Sequence, residues 1–150
     1  MHSLLKCGLV AAGAVALAAP AIGQPEESIG GRKITATLSG AAEVPGPGDE
    51  NGAGLFEGRV NAGQGRICYT LSAANIADAT VAHIHSGAAG AAGPPVVTLD
   101  TPDGDDDDSE ECQDIDRALA QALIQDTAGY YVNVHNDDFP NGAIRGQLSK

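Results

Sequence analysis

The sequence predicts an all-β domain, an antiparallel Greek-key β-sandwich or barrel with one short helix. Three observations lead there. Seven short runs of alternating or β-branched residues are spread over residues 32–148. Turn-forming residues punctuate them densely, with 20 Gly and 8 Pro in a chain of 150 residues. Helical period, by contrast, appears between these runs in one segment only, at residues 115–123.

The elements follow in chain order. The N-terminus carries one firm cation, Lys6, and Cys7 to Ala19 then run apolar for thirteen residues. That stretch is too short to span a bilayer and fits the core of a signal peptide. Ala19-Pro20-Ala21 and Ala21-Ile22-Gly23 both suit cleavage. Cleavage after Gly23 makes residues 1–23 a signal peptide and 24–32 a linker ahead of a domain at 33–150. A buried helix is disfavoured because the stretch is apolar on every side and lacks a cap. Lys6 directly before Cys7 breaks the small-residue pattern that a lipoprotein anchor needs. The product is therefore expected to be periplasmic or extracellular, with no membrane insertion.

In the first strand, residues 32–38, Ile34, Ala36 and Leu38 share one face. Residues 40–54, with two Pro and five Gly, end it. Residues 55–60 and 66–71 form a hairpin around Asn61-Ala62-Gly63-Gln64-Gly65. In its second arm Ile67, Tyr69 and Leu71 share a face and leave Cys68 on the other. Further strands are expected at 79–85, 95–99, 130–135 and 143–148. The helix takes its face from Ile115, Ala118, Leu119, Ala122 and Leu123, with Asp114 as N-cap and Gly129 beyond its end.

With no Trp and only five aromatics, the core must come mainly from Val, Ile, Leu and Ala. Such a core has little margin at this length, so a covalent staple is valuable. Cys7 leaves with the signal, and Cys68 and Cys112 remain as a pair in an oxidising compartment. Neither sits in the C-x-x-C spacing of a metal site. A disulfide between them would close a loop of about 45 residues, worth at most roughly 4 kcal/mol by chain entropy.

The net charge of −12 argues against a nucleic-acid partner, which needs a cationic footprint. Seven acids crowd into the nine residues 103–111. That tract lacks the alternation and closing Glu of a calcium-binding EF-hand loop, and dense like charge favours a solvated loop.

The histidines carry the chemistry. In Ala82-His83-Ile84-His85 the period of two puts both imidazoles on one strand face. His135 closes a second strand, whose matching face also carries Tyr131 and Asn133. If those strands are neighbours, His83, His85 and His135 form a site suited to copper, with zinc less favoured by the affinity order. The alternative is three histidines hydrogen-bonded at strand ends, with no metal.

Four segments give the chain a resemblance. They are Leu38-Ser39-Gly40-Ala41-Ala42-Glu43-Val44-Pro45, Ala82-His83-Ile84-His85-Ser86-Gly87, Gly93-Pro94-Pro95-Val96-Val97, and Tyr130-Tyr131-Val132-Asn133-Val134-His135. The last runs on through Asn141-Gly142-Ala143-Ile144-Arg145-Gly146-Gln147-Leu148. Together they resemble the CHRD family, the domain first noted in chordin and widespread in exported bacterial proteins. That context implies an extracellular interaction or matrix module as an alternative to metal binding.

The chain also resembles, more weakly, the copper-zinc superoxide dismutases. These place an H-x-H pair on one strand of a Greek-key barrel and a third copper ligand late in the chain. His83 and His85 look like the pair, His135 like the late ligand and Asp137-Asp138 like the acidic segment after it. Arg145 looks like the substrate-guiding Arg. The chain has no counterpart of the bridging fourth His, the zinc ligands or the Cys near that Arg. The resemblance therefore implies copper binding, with a superoxide dismutase-like enzyme as a third reading whose dismutation would be slow for want of the bridging His. Glu43, in a loop, is either solvated, paired with Arg145, or placed behind a ligand His as carboxylates commonly are, the last being preferred to direct ligation. Tyr131 and Asn133 are expected in the same outer layer. No nucleophile with a positioned base is evident.

Overall fold

A computed structural model describes residues 30–102 and 111–150. The strands are β1 (Arg32–Ser39), β2 (Ala53–Asn61), β3 (Arg66–Ala74), β4 (Ala79–Ser86), β5 (Pro95–Leu99), β6 (Glu111–Asp114), β7 (Tyr130–Asn136) and β8 (Ile144–Gln147). Helix α1 (Arg117–Gln125) lies between β6 and β7. All neighbours pair antiparallel in one eight-stranded sheet of order β5-β4-β7-β8-β1-β2-β3-β6. The contacts β3–β6, β4–β7 and β8–β1 join strands that are not consecutive, which is Greek-key wiring.

Alternation explains the shape. Ile34, Ala36 and Leu38 of β1, Phe56 and Val60 of β2, and Ile67 and Tyr69 of β3 point to one side and are buried. So are Ala82 and Ile84 of β4, Val97 and Leu99 of β5, Val132 and Val134 of β7, and Ile144 of β8. One short helix cannot cover a face that wide, so the sheet buries it by curling upon itself. The end strands meet through side chains: Gln113 Nε2 on β6 donates to Thr98 O on β5 at 2.8 Å. The Tyr69 hydroxyl accepts from Asp100 N at 2.9 Å. Ala120 and Leu123 of α1 join the same core.

Two expectations need correction. The helix is capped by Asp116, whose Oδ1 accepts from Ala118 N at 2.8 Å and Leu119 N at 3.1 Å. Asp114 instead ends an eighth strand, β6, that had not been expected. Glu111-Cys112-Gln113-Asp114 shows no apolar alternation, and pairing with β3 overrides its weak propensity. The signal peptide at 1–23, the linker up to residue 29 and the acidic tract at 103–110 lie outside the described residues. Among the described residues no helix is long and apolar enough to cross a membrane.

Cys68 and Cys112 sit directly opposite in the β3–β6 register and are bonded. The disulfide thus fastens the edge strand that brings the barrel's two ends together. The Cys68→Ser/Cys112→Ser variant is expected to lose up to about 4 kcal/mol of stability. Denaturant melts check this, and coincident midpoints for both forms would contradict it.

Candidate metal centre

The same alternation that fills the barrel puts the histidines outside it. Ala82 and Ile84 turn inward, so His83 and His85 turn outward; Val132 and Val134 do the same for Tyr131, Asn133 and His135. In the β4–β7 register His85 faces Tyr131 and His83 faces Asn133. His135 faces Val81 and is thus the diagonal neighbour of His83, within reach of a ring. Ring centroids are 5.3 Å apart for His83 and His85, 5.7 Å for His83 and His135, and 6.1 Å for His85 and His135. One nitrogen from each ring lies within 4.8 Å of the others. Nitrogens bound at about 2.0 Å to one ion are about 3.5 Å apart, so small side-chain rotations close the site.

Backbone carbonyls fix which nitrogen each ring presents. His85 Nδ1 is 2.8 Å from Gly93 O, and His135 Nδ1 is 3.2 Å from Pro140 O. A carbonyl only accepts, so both Nδ1 atoms carry the proton and both Nε2 atoms keep the lone pair. His85 Nε2, His135 Nε2 and His83 Nδ1 are buried without a hydrogen-bond partner. Burial, the largest influence on each, holds all three imidazoles below their ordinary value of 6.5. At neutral pH the cluster therefore offers uncharged rings. The donor set fits a metal that prefers imidazole nitrogen.

That burial moves the pH at which protons compete with a metal. Ligation needs the neutral ring, so affinity falls as the folded-state pKa is approached from above. With all three pKa values depressed, weakening is expected to begin below pH 6.5. Copper affinity measured from pH 5 to 8 checks this. Weakening that begins above pH 6.5 would contradict it.

Glu43 follows a 3-10 turn at Gly40–Ala42 and is only 6% exposed. Its Oε2 accepts from Asn133 Nδ2 at 3.4 Å, while the His85 and His135 rings are held by carbonyls. Gly142 and Gly48 close over it: a Cβ on Gly142 would lie 2.5 Å from Glu43 Oε2, and one on Gly48 2.5 Å from Glu43 Cγ. Gly142 also has φ +137°, a conformation that suits glycine. Burial pushes the Glu43 carboxyl up to about 7, with Arg145, Asn133 and the Val44 backbone pulling the other way.

Arg145 lies opposite Asn133 across β7–β8 and is 2% exposed. Its guanidinium carbon sits 3.4 Å from the Tyr131 ring centroid. Nη2 donates to Ala91 O at 2.8 Å and Ala88 O at 3.3 Å. The cation proposed from the sequence as a substrate guide is thus packed beneath a loop. Tyr131 stacks on His85 as well, with centroids 4.9 Å apart and planes 11° from parallel. Asp137 and Asp138 are exposed in the turn after β7.

Six buried side-chain atoms lack a partner among the described residues, and all six lie here. Besides the three histidine nitrogens they are Glu43 Oε1, Asn133 Oδ1 and Arg145 Nη1. Native proteins leave few such groups, so this face is where the described residues leave polar atoms free for water or a ligand.

Several supporting residues escaped the sequence reading. Gly93 and Pro140 act through carbonyls, which carry no side-chain signature. Asn136 Oδ1 accepts from Phe139 N at 2.8 Å and shapes the turn that presents Pro140. The Asn-Asp-Asp-Phe-Pro-Asn-Gly run was the available signal for that turn. Gln147 Nε2 donates to the carbonyls of Gly87, Ala128 and Tyr130, tying two loops to the sheet.

The family model described as the CHRD domain matches residues 34–148. No curated protein and no solved structure matches the chain.

Proposed function

The chain belongs to the CHRD domain family, and we propose that it is an exported protein whose CHRD domain binds a copper ion through His83, His85 and His135. The carrying observation is the convergence of three unpartnered histidine nitrogens from neighbouring strands. Divalent copper tops the affinity order at nitrogen sites, which favours copper over zinc. The Cys68–Cys112 disulfide supports an oxidising compartment. Imidazoles held neutral by burial need shed no proton on binding at neutral pH.

His83, His85 and His135 would hold the ion, while Gly93 and Pro140 orient two of the rings. When bound, copper would supply a redox-active centre. The role of this chain's residues is to bind it and to shield it on the sheet side. Binding is the favoured reading over dismutation, since Arg145 is packed against Tyr131 and away from solvent.

Untagged protein given copper and zinc together tests the proposal. One copper per chain, lost on dialysis against acid, is expected. Protein that takes up neither metal would leave the metal-free interaction module as the reading.

A further inference from the structure

We propose that this centre is built for copper in its monovalent state, and that Arg145 is the residue that sets the preference. The inference rests on the copper reading above and adds the oxidation state.

The first support is the donor set. Among the described residues, the cluster able to hold a metal is His83, His85 and His135, with no carboxylate or thiolate among its members. Three neutral nitrogens satisfy a monovalent d¹⁰ ion, which accepts three ligands without geometric penalty. Zinc completes a tetrahedron, and divalent copper prefers a tetragonal set, so both ask for more than this cluster provides. Three neutral ligands also leave the ion's charge uncompensated, and a dication suffers more from that than a monocation.

The second support is the cation behind the ligands. Strand β7 lies between β4 and β8, so Tyr131 receives His85 from one neighbour and Arg145 from the other. Arg145 cannot swing away: it is 2% exposed and its Nη2 is held by the carbonyls of Ala88 and Ala91. Its charge is fixed in a poorly solvated place, where screening is weak. It reaches the candidate ligands through one ring: the guanidinium carbon lies 3.4 Å from the Tyr131 centroid, and the His85 ring stacks on Tyr131 at 4.9 Å. Glu43 is the opposing charge nearby, and its carboxylate is directed to Asn133. Burial leaves Glu43 only partly ionised at neutral pH, so it offsets Arg145 incompletely. A fixed positive charge repels a dication about twice as strongly as a monocation at the same point. The whole difference appears in the ratio of the two affinities.

The experiment measures that ratio. Full-length mature protein is titrated with monovalent copper under anaerobic chelator competition, and separately with divalent copper. The wild-type protein is expected to hold the monovalent ion more tightly, which places its reduction potential above that of the free copper couple. Arg145→Gln is expected to cut the preference about tenfold, a fall of about 59 mV for a one-electron couple. Arg145→Lys, which keeps the charge, should retain most of it. Wild-type protein that holds divalent copper at least as tightly overturns the inference, whether or not the variants fold. So does a ratio unchanged in folded Arg145→Gln. Failure to bind either ion overturns the copper reading itself, a distinct result.

Discussion

Replacing His85 with Ala is expected to lower copper affinity by more than about a hundredfold, beyond the 10- to 100-fold typical for loss of an outer partner of a metal site. His85 is the most deeply placed of the three rings, at 8% exposure. Its Nδ1 is anchored on Gly93 O and its face is stacked on Tyr131, so the lone pair on Nε2 is held in one direction before any ion arrives. His83→Ala and His135→Ala should also weaken binding strongly, because a three-ligand site has none to spare. Fold should survive in each case, since these side chains point away from the core formed by Ala82, Ile84, Val132 and Val134. Isothermal titration of the three variants against the parent decides the matter, with thermal melts to confirm folding. The acidic tract at 103–111 can hold copper without specificity, so a variant neutralising it is the control. Three folded variants that bind like the parent would remove the site.

The barrel was legible because its information is periodic. Ile34-Thr35-Ala36-Thr37-Leu38 and Ala82-His83-Ile84-His85 announce both their strand and the face each residue takes. Curling of one sheet adds only the requirement that the apolar side be covered. What failed was non-periodic: β6 exists through pairing with β3, and the helix starts two residues later than its apolar spacing suggested. Asp114 and Asp116 are equally good caps by residue type; pairing of Asp114 with Arg66 decides between them.

The candidate site divides in the same way. The histidine cluster was readable because H-x-H on a strand fixes the face of His83 and His85, and His135 shares the face of Tyr131 and Asn133. Their supports were not. Gly93 and Pro140 contribute carbonyls from loops, and the sequence gives no measure of which carbonyl a loop turns inward. Arg145 was visible as a cation near the site. Its burial under Ala88 and Ala91 depends on the fold of a loop made of small residues. An exposed guide and a buried field source share one sequence signature and differ only in packing.

Glu43 gives the largest stability effect expected from this face. Its carboxyl is raised from 4.5 to about 7 in the folded protein, a net result in which burial outweighs the attraction of Arg145. Between those values the folded state binds more protons than the unfolded state. The stability contributed by protonated Glu43 is therefore full below pH 4.5 and is lost as pH rises through about 7. The loss amounts to about 3 kcal/mol. Glu43→Gln keeps the shape and cannot ionise. It is expected to make the metal-free protein about 3 kcal/mol more stable than the parent at pH 8, while the two coincide at pH 4. The three histidines act in the opposite sense, since their depressed pKa values withdraw stability as pH falls below 6.5. That contribution is common to both proteins and cancels in the difference. Urea melts of the pair from pH 4 to 8 make the measurement. A variant less stable than the parent at pH 8 would show that the ionised carboxylate contributes more through Arg145 and Asn133 than its burial costs.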